Sequence, residues 1–463
     1  MADAAYLNTT TSTCRECGRL IPAQVWLEDG AVFFRKHCPE HGPQRVRIYG
    51  DAQQYLDLRR FHRAGSIPHK FQTEMTSPCP GSCGLCPQHE QHVCMPILEI
   101  TDHCDMACPV CMVKTPGTFH LDRAQVGRIL DGLIASEGQI DVLNLSGGEP
   151  TTNPAFREIV EECTSRREIL YVSVSTNGLR LARDNDLLRF LADNHVIISL
   201  QFDGTNEACN LAMRGRRMLD EKLRLIDAVE QAGGRMSLTL TAAHGLNDSE
   251  LAAPVRLLFA RDHILSVMIQ PMAYIGTGSG IPRPDDALTI PDITRMLAEQ
   301  CPQLVRADDF SPLPCSHPAC FSLAFYLRVS DDSREFLPVR RLLDTDRYLD
   351  LVQNRALPGT DLDSFSQIQD ALYDLWSGPA GLAPDSARAM QAIRRILDSI
   401  NSRGRFCAAS ATQVAEKSMK SIFIHHFMDR DNFDVSRVRK CCQVYPLPDG
   451  RLMPACVHNC LRR

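Results

Sequence analysis

Pro96-Ile97-Leu98-Glu99-Ile100-Thr101 runs directly into Asp102-His103-Cys104-Asp105-Met106-Ala107-Cys108-Pro109-Val110-Cys111. The first six residues read as a buried strand. The next ten carry three thiols at C-x3-C-x2-C spacing with no obvious fourth nearby. Three thiolates leave one iron of a [4Fe-4S] cubane open to an outside ligand, which a redox enzyme can use and an electron carrier does not need.

Downstream of this loop, Val126, Ile129, Leu130, Leu133 and Ile134 repeat at helical spacing. A strand, Asp141-Val142-Leu143-Asn144-Leu145-Ser146, then leads into Gly147-Gly148-Glu149-Pro150, and a helix resumes near Pro154-Ala155-Phe156. Further apolar runs follow at residues 169–174, 196–201, 236–240 and 266–270, each pair far enough apart to hold a helix. Six βα units predict an α/β fold with a parallel sheet and its chemistry at the C-terminal strand ends. The thiol loop, Gly147 to Pro150, Ser175-Thr176-Asn177-Gly178 and Asp203-Gly204 follow strands one to four and so share one face. A glycine pair leaves backbone groups open to a polar ligand, and Glu149 can hold an amine. Ser175 and Asn177 can bind ribose hydroxyls or a carboxylate, although such loop residues also cap turns. Arg214-Gly215 after the fourth strand is a candidate substrate contact, although an Arg before Gly in a loop reads more often as a solvated turn.

Upstream, Cys14, Cys17, Cys38 and His41 form a C-x2-C-x20-C-x2-H pattern. Two knuckles supplying two ligands each suit one tetrahedral Zn or Fe. Between them residues 24–27 and 32–34 read as strands around an Asp29-Gly30 turn. Cys79, Cys83, Cys86 and Cys94 then put four thiolates into sixteen residues. That density suits a [4Fe-4S] cluster, with zinc as the alternative metal.

The whole chain has 463 residues, 20 of them Cys, and a net charge of -6. Its length suggests about three units, and its composition excludes disordered, collagenous and repeat classes. No general positive field favours nucleic acid. The opening residues carry no signal-like pattern and no apolar run reaches a membrane span, so a cytoplasmic enzyme is the expectation. Thiols in that compartment stay reduced, which makes metal ligation the leading account of the cysteines. Cys163, Cys209, Cys301 and Cys407 have no ligand spacing and read as ordinary small residues.

The three-thiol loop after strand one, combined with Gly-Gly-Glu-Pro after strand two, resembles the radical S-adenosylmethionine superfamily. The resemblance spans roughly residues 95 to 275 and implies a partial (β/α)6 barrel. It further implies that Cys104, Cys108 and Cys111 hold a [4Fe-4S] cluster whose fourth iron binds S-adenosylmethionine. Gly147, Gly148, Glu149 and Pro150 would meet its amino end. Ser175, Thr176 and Asn177 would serve its ribose or carboxylate side, and Asp203 is counted with the cofactor-binding residues. Reductive cleavage would then give a 5′-deoxyadenosyl radical that abstracts hydrogen from an unactivated carbon.

The flanks resemble a narrower group, the tetraether lipid synthases and related dihydropterin methyltransferases. In that group a further cluster draws on thiols from the end of the chain, here Cys315, Cys320, Cys442 and Cys456. Cys441 competes with Cys442, and Cys460 with Cys456. The expected division is a metal ribbon over 1–60, an auxiliary iron-sulfur segment over 61–95, the barrel over 96–300 and a helical, cluster-bearing region over 301–463. Ile368, Ala371, Leu372 and Leu375, then Ala389, Ile393, Ile396 and Leu397, suggest amphipathic helices there. Expected partners are S-adenosylmethionine, a lipid or small-molecule substrate and an electron donor such as flavodoxin or ferredoxin, with peripheral membrane contact left open and no nucleic acid. A low aromatic content of 6% favours the long apolar tunnel of lipid chain coupling over a compact pterin pocket. Methylation of a pterin, peptide maturation and a non-catalytic electron carrier are the alternatives.

Overall fold

The computed structural model describes residues 4–314, 316–330, 333–342, 386–401 and 416–462. Asp29 and Gly30 both take positive φ, 50° and 76°, as the tight turn of a two-residue hairpin requires. They join β2 (Leu20–Glu28) to β3 (Ala31–Cys38), and β1 (Ala5–Thr13) and β4 (Gly42–Tyr49) complete an antiparallel sheet in chain order. The outer pair was not foreseen, although Arg45-Val46-Arg47-Ile48 of β4 alternates charged and apolar residues as a strand does. A short helix, α1 (Ala52–Asp57), follows, its first turn capped by the Asp51 carboxylate.

The barrel strands are β5 (Met95–Thr101), β6 (Ile140–Gly147), β7 (Ile169–Thr176), β8 (Ile197–Gln201), β9 (Arg235–Ala242) and β10 (Ile264–Pro271). All six pair in parallel and in order. Between them lie α2 (Arg123–Glu137), α3 (Phe156–Thr164), α4 (Asn185–Asp193), α5 (Glu207–Arg214), α6 (Leu219–Gln231) and α7 (Ala252–Ala260), with α8 (Ile290–Gln300) after β10. The helices bury their apolar stripes on the sheet, as Val126, Leu130 and Leu133 of α2 do.

The C-terminal region departs from the helical expectation. β11 (Ser311–Pro312), β12 (Phe321–Arg328), β13 (Phe336–Pro338), β14 (Met419–His425), β15 (Gln443–Pro446) and β16 (Leu452–Pro454) extend the barrel sheet. β14 pairs in parallel with β10, and β15 in parallel with β5. Both open edges of the sheet are thereby covered, which satisfies their free backbone groups. The seventeen residues between His425 and Gln443 run from one edge to the other.

Of the two expected helices, Ile368, Ala371, Leu372 and Leu375 lie outside the described residues, while a helix over Ser386–Asn401 is present. That helix packs on β12: Ala392 is fully buried, and Arg395 donates to the Val329 carbonyl at 3.1 Å. Among the described residues no helix is long and apolar enough to cross a membrane.

Candidate active site and metal centres

Hairpin β2–β3 and the knuckles at its ends bring Cys14, Cys17, Cys38 and His41 together, with all four ligand atoms within 4.8 Å of one another. Cys17 and Cys38 Sγ are 3.9 Å apart, and His41 Nδ1 lies 3.4 Å from Cys38 Sγ and 3.7 Å from Cys14 Sγ. Tetrahedral zinc with Zn–S near 2.3 Å has S···S edges of about 3.8 Å, so the preformed cage fits such an ion. Gln44 donates to Cys14 Sγ at 3.1 Å, an outer contact that orients a ligand.

The ribbon is tied to the chain's far end. Lys36, only 4% exposed, donates to the carbonyls of Thr13 at 2.7 Å and Asp431 at 2.6 Å, and Arg15 pairs with Asp431 at 2.7 Å. In zinc fingers metal binding supplies about 10–16 kcal/mol of folding energy. Cys38→Ser is therefore expected to lose the ribbon metal and expose residues 13–50 to protease, read by metal analysis and limited proteolysis.

The three-thiol loop leaves β5 and is anchored by the loops after three other strands. Gly148 N–H donates to the Thr101 carbonyl at 2.9 Å and Glu149 N–H to the His103 carbonyl at 2.7 Å. Those two amides are engaged by the protein rather than open to a ligand. The Glu149 carboxylate, 1% exposed, accepts from Thr151 Oγ1 at 2.7 Å, Thr176 Oγ1 at 2.8 Å, Asn177 N at 2.8 Å and Thr151 N at 3.2 Å. Burial raises its pKa, and these hydrogen bonds act against that rise. Asn177 in turn donates to Asp105 Oδ1 at 2.6 Å, and Gly278 N–H to the Cys111 carbonyl at 2.9 Å. Ser175 donates to Asn144 Oδ1 at 3.1 Å.

Cys104, Cys108 and Cys111 remain partly exposed, which leaves them accessible to an outside ligand. Burial pushes the Cys104 thiol up to about 12, so a thiolate there calls for a cation beside it. A donor set of thiols alone suits iron-sulfur ligation.

Asp203, at the end of β8, has both oxygens held by protein groups. Arg214 at the end of α5 grips it twice, Nε to Oδ2 at 2.6 Å and Nη2 to Oδ1 at 2.8 Å. Thr241 N–H adds a bond at 3.0 Å, and Gln201 another. Burial pushes the Asp203 carboxyl up, and Arg214 more than offsets this, holding it below its ordinary value. The same guanidinium hydrogen-bonds Cys108, opposing the upward push of burial on that thiol. Lys222 completes the group, donating to Gln201 Oε1 at 2.6 Å. Burial lowers Lys222 to about 7. Arg214 is thus no solvated turn: its side chain is 9% exposed. The sequence reading left it out of the site and missed Lys222, although Lys222 sits on the apolar stripe of α6 with Leu225, Ile226 and Val229, an anomaly legible in advance.

Of the auxiliary thiols, Cys79, Cys83 and Cys86 come together. The hydrogen bond with Cys79, burial, and the nearby Cys86 and Cys441 all push Cys83 up. Cys94 packs instead with Phe321, Cys442 and Cys320, and Gln91 donates towards its sulfur at 3.7 Å. A cavity near the end of the chain is walled by Cys320, Cys441, Cys442 and Cys456, and Cys83 shares an apolar cluster with Cys456. Cys315 lies outside the described residues, as does Cys407. Cys460 is turned to the Met428 carbonyl at 3.1 Å. Burial and the neighbouring Cys320 act together to raise Cys441, to about 11. Cys163 and Cys301 are core residues.

A parallel partial barrel with a three-thiol loop after its first strand and a glycine-glutamate loop after its second is the architecture of a radical S-adenosylmethionine enzyme. Residues 98–258 match the radical SAM superfamily and residues 6–50 the HMPTM N-terminal zinc ribbon domain. The chain thus carries a radical SAM domain over residues 98–258 and is an enzyme, and that family uses [4Fe-4S] clusters and S-adenosylmethionine. It is similar to the 7,8-dihydro-6-hydroxymethylpterin dimethyltransferase of Methanocaldococcus jannaschii, 28% identical over 98% of this chain and 94% of that protein. It also resembles the mycofactocin maturase MftC of Mycobacterium tuberculosis, 32% identical over 34% of this chain and 40% of that one. The GTP 3′,8-cyclase of Paenarthrobacter nicotinovorans is 28% identical over 40% and 52% respectively. Among solved structures, Streptococcus suis SuiB bound to its precursor peptide SuiA aligns over 46% of each chain with a TM-score of 0.40 and 14% identity.

Proposed function

We propose that this enzyme methylates a pterin-type heterocycle. One observation carries the reading: similarity to the pterin dimethyltransferase runs the length of both chains, from the ribbon to the C-terminal thiols, whereas the maturase and cyclase relatives match 34% and 40% of this chain. Lipid chain coupling, favoured by the low aromatic content, has no counterpart among the relatives named above. Peptide maturation is the second reading, supported by the maturase match.

Cys104, Cys108 and Cys111 would hold the [4Fe-4S] cluster, with Gly147 to Pro150, Ser175 to Asn177 and Asp203 around the S-adenosylmethionine site. A cluster held there would supply the electron for reductive cleavage of S-adenosylmethionine, the source of the hydrogen-abstracting radical. Glu149 ties the thiol loop to the end of β7, and Asn177 reaches back to Asp105. Arg214 sets a fixed positive charge beside Cys108. The two auxiliary thiol groups would carry further clusters, fed by a donor such as flavodoxin or ferredoxin.

The test is anaerobic turnover of the reconstituted enzyme with dithionite, 7,8-dihydro-6-hydroxymethylpterin and methyl-labelled S-adenosylmethionine. Methylated pterin by mass spectrometry is the expected product, and the label's fate identifies the methyl source. 5′-Deoxyadenosine without pterin turnover, joined to loss of double-length lipids in a deletion strain, would overturn the reading. Cys104→Ala is expected to abolish deoxyadenosine formation and to remove about four irons per chain, with the ribbon metal unchanged.

A further inference from the structure

Two buried histidines line the C-terminal thiol cavity together with Cys320, Cys441, Cys456 and Arg437. His425 is 4% and His426 3% exposed, and the Nδ1 atom of each has no hydrogen-bond partner among the described residues. A buried N–H left unsatisfied is costly, so an orphan of this kind points to an acceptor that the polypeptide itself does not provide.

For His426 the network fixes which nitrogen carries the proton. Asp429 N–H donates to Asn432 Oδ1 at 2.8 Å. The amide NH2 of Asn432 is therefore the group that faces His426 Nε2 at 3.3 Å. Nε2 accepts, and the ring proton sits on Nδ1. His425 has no such lock: its ring is stacked 3.8 Å from Phe321 and tilted against Phe427 at 3.9 Å.

The rest of the wall shares this polarity. Arg437, 5% exposed, donates from Nε to Cys320 Sγ at 3.1 Å and from Nη2 to the His426 carbonyl at 2.5 Å. Resting on the reading that this cavity holds an iron-sulfur cluster, we infer that His426 Nδ1–H donates a hydrogen bond to a sulfur of that cluster and raises its reduction potential. N–H donors to cluster sulfurs stabilise the reduced, more negative state. Arg437 acts in the same sense through its charge.

The experiment is an EPR-monitored redox titration of the full-length reconstituted protein, with iron and sulfide counted. In His426→Leu one auxiliary signal is expected to shift to lower potential by about 59 mV, a tenfold change in its one-electron ratio, with iron content and the other signals unchanged. His426→Asn places an amide N–H near the same point and is expected to restore most of the shift. Unshifted signals in a fully loaded His426→Leu protein overturn the hydrogen bond. A Cys320→Ser/Cys456→Ser protein with the iron content and signals of the parent overturns the cluster reading itself. Should His426→Leu fail to load, the parent decides: with 15N-histidine, double resonance on the reduced auxiliary cluster is expected to show a weakly coupled 15N and an exchangeable proton, and their absence overturns the inference.

Discussion

Arg214→Met is expected to destabilise the fold by about 3–5 kcal/mol, because it strips a fully buried carboxylate of its countercharge. Asp203 has no exposed surface and Arg214 almost none, so water cannot replace the lost guanidinium. Thr241 N–H and Gln201 still reach the carboxylate, which keeps the loss at the lower end of that range. Lys222 is the nearest substitute cation, but it is spent on Gln201 Oε1. Asp203→Asn alone leaves the guanidinium buried without its anion and is expected to cost a similar amount. The double variant Asp203→Asn/Arg214→Met removes both charges and should recover most of the stability in urea denaturation, a coupling that independent sites would not show. Deoxyadenosine formation should stay low in the double variant, because the positive charge at Cys108 is gone. If the double variant regains activity along with stability, Arg214 serves only the fold.

The barrel was legible because its signals are local. Strands β5 to β10 are short stretches rich in apolar and β-branched residues bounded by loop residues, and β9 alternates Met236, Leu238 and Leu240 with Ser237, Thr239 and Thr241. The four ribbon ligands were legible for the same reason, since a knuckle fixes its pair within four residues. Spacing left unread most of the strand pairing across long separations, although the resemblance did group Cys320 with Cys442 and Cys456, which line one cavity. In β14, Ile422 and Ile424 are fully buried while Ser421 and Phe423 are partly exposed, an alternation that the unbroken run Ile422-Phe423-Ile424 does not display in the sequence. Its place beside β10 joins residues about 155 apart, such as Ser266 with Ser421, and no spacing rule reports that. Cys441 and Cys442 are adjacent in the short link between the helix ending at Arg439 and β15. Both reach the cavity wall, but Cys442 also packs with Cys94 and Phe321, so spacing left a choice that only packing separates. Arg214 was misread because its turn is a true one, with Gly215 at φ 75°. The long side chain nevertheless folds back eleven residues to Asp203.

Gly147→Ala is expected to be the most damaging single-methyl addition near the thiol loop. Gly147 sits at φ 132°, where a side chain is strained, and a Cβ there would lie 1.9 Å from the Thr101 carbonyl oxygen. Strain of about 1–3 kcal/mol and overpacking of about 1–3 kcal/mol add at this position, because the obstacle is backbone and cannot rotate away. Gly148 separates the two effects. It shows no positive φ, yet its Cβ would meet the His103 carbonyl oxygen at 2.1 Å, one residue before Cys104. Gly148→Ala is thus expected to cost less stability while pushing the cluster loop away from β6. A displacement near 1 Å at a reacting centre lowers rate by roughly 100-fold. Deoxyadenosine formation should therefore fall further than the loss of stability explains. Gly132→Ala in α2 is the control, with no atom within 4 Å of the added carbon and an expected gain of about 1 kcal/mol in helix propensity. Equal activity losses in Gly148→Ala and Gly132→Ala, measured at matched folded fraction, would show that the glycine pair does not position the thiols.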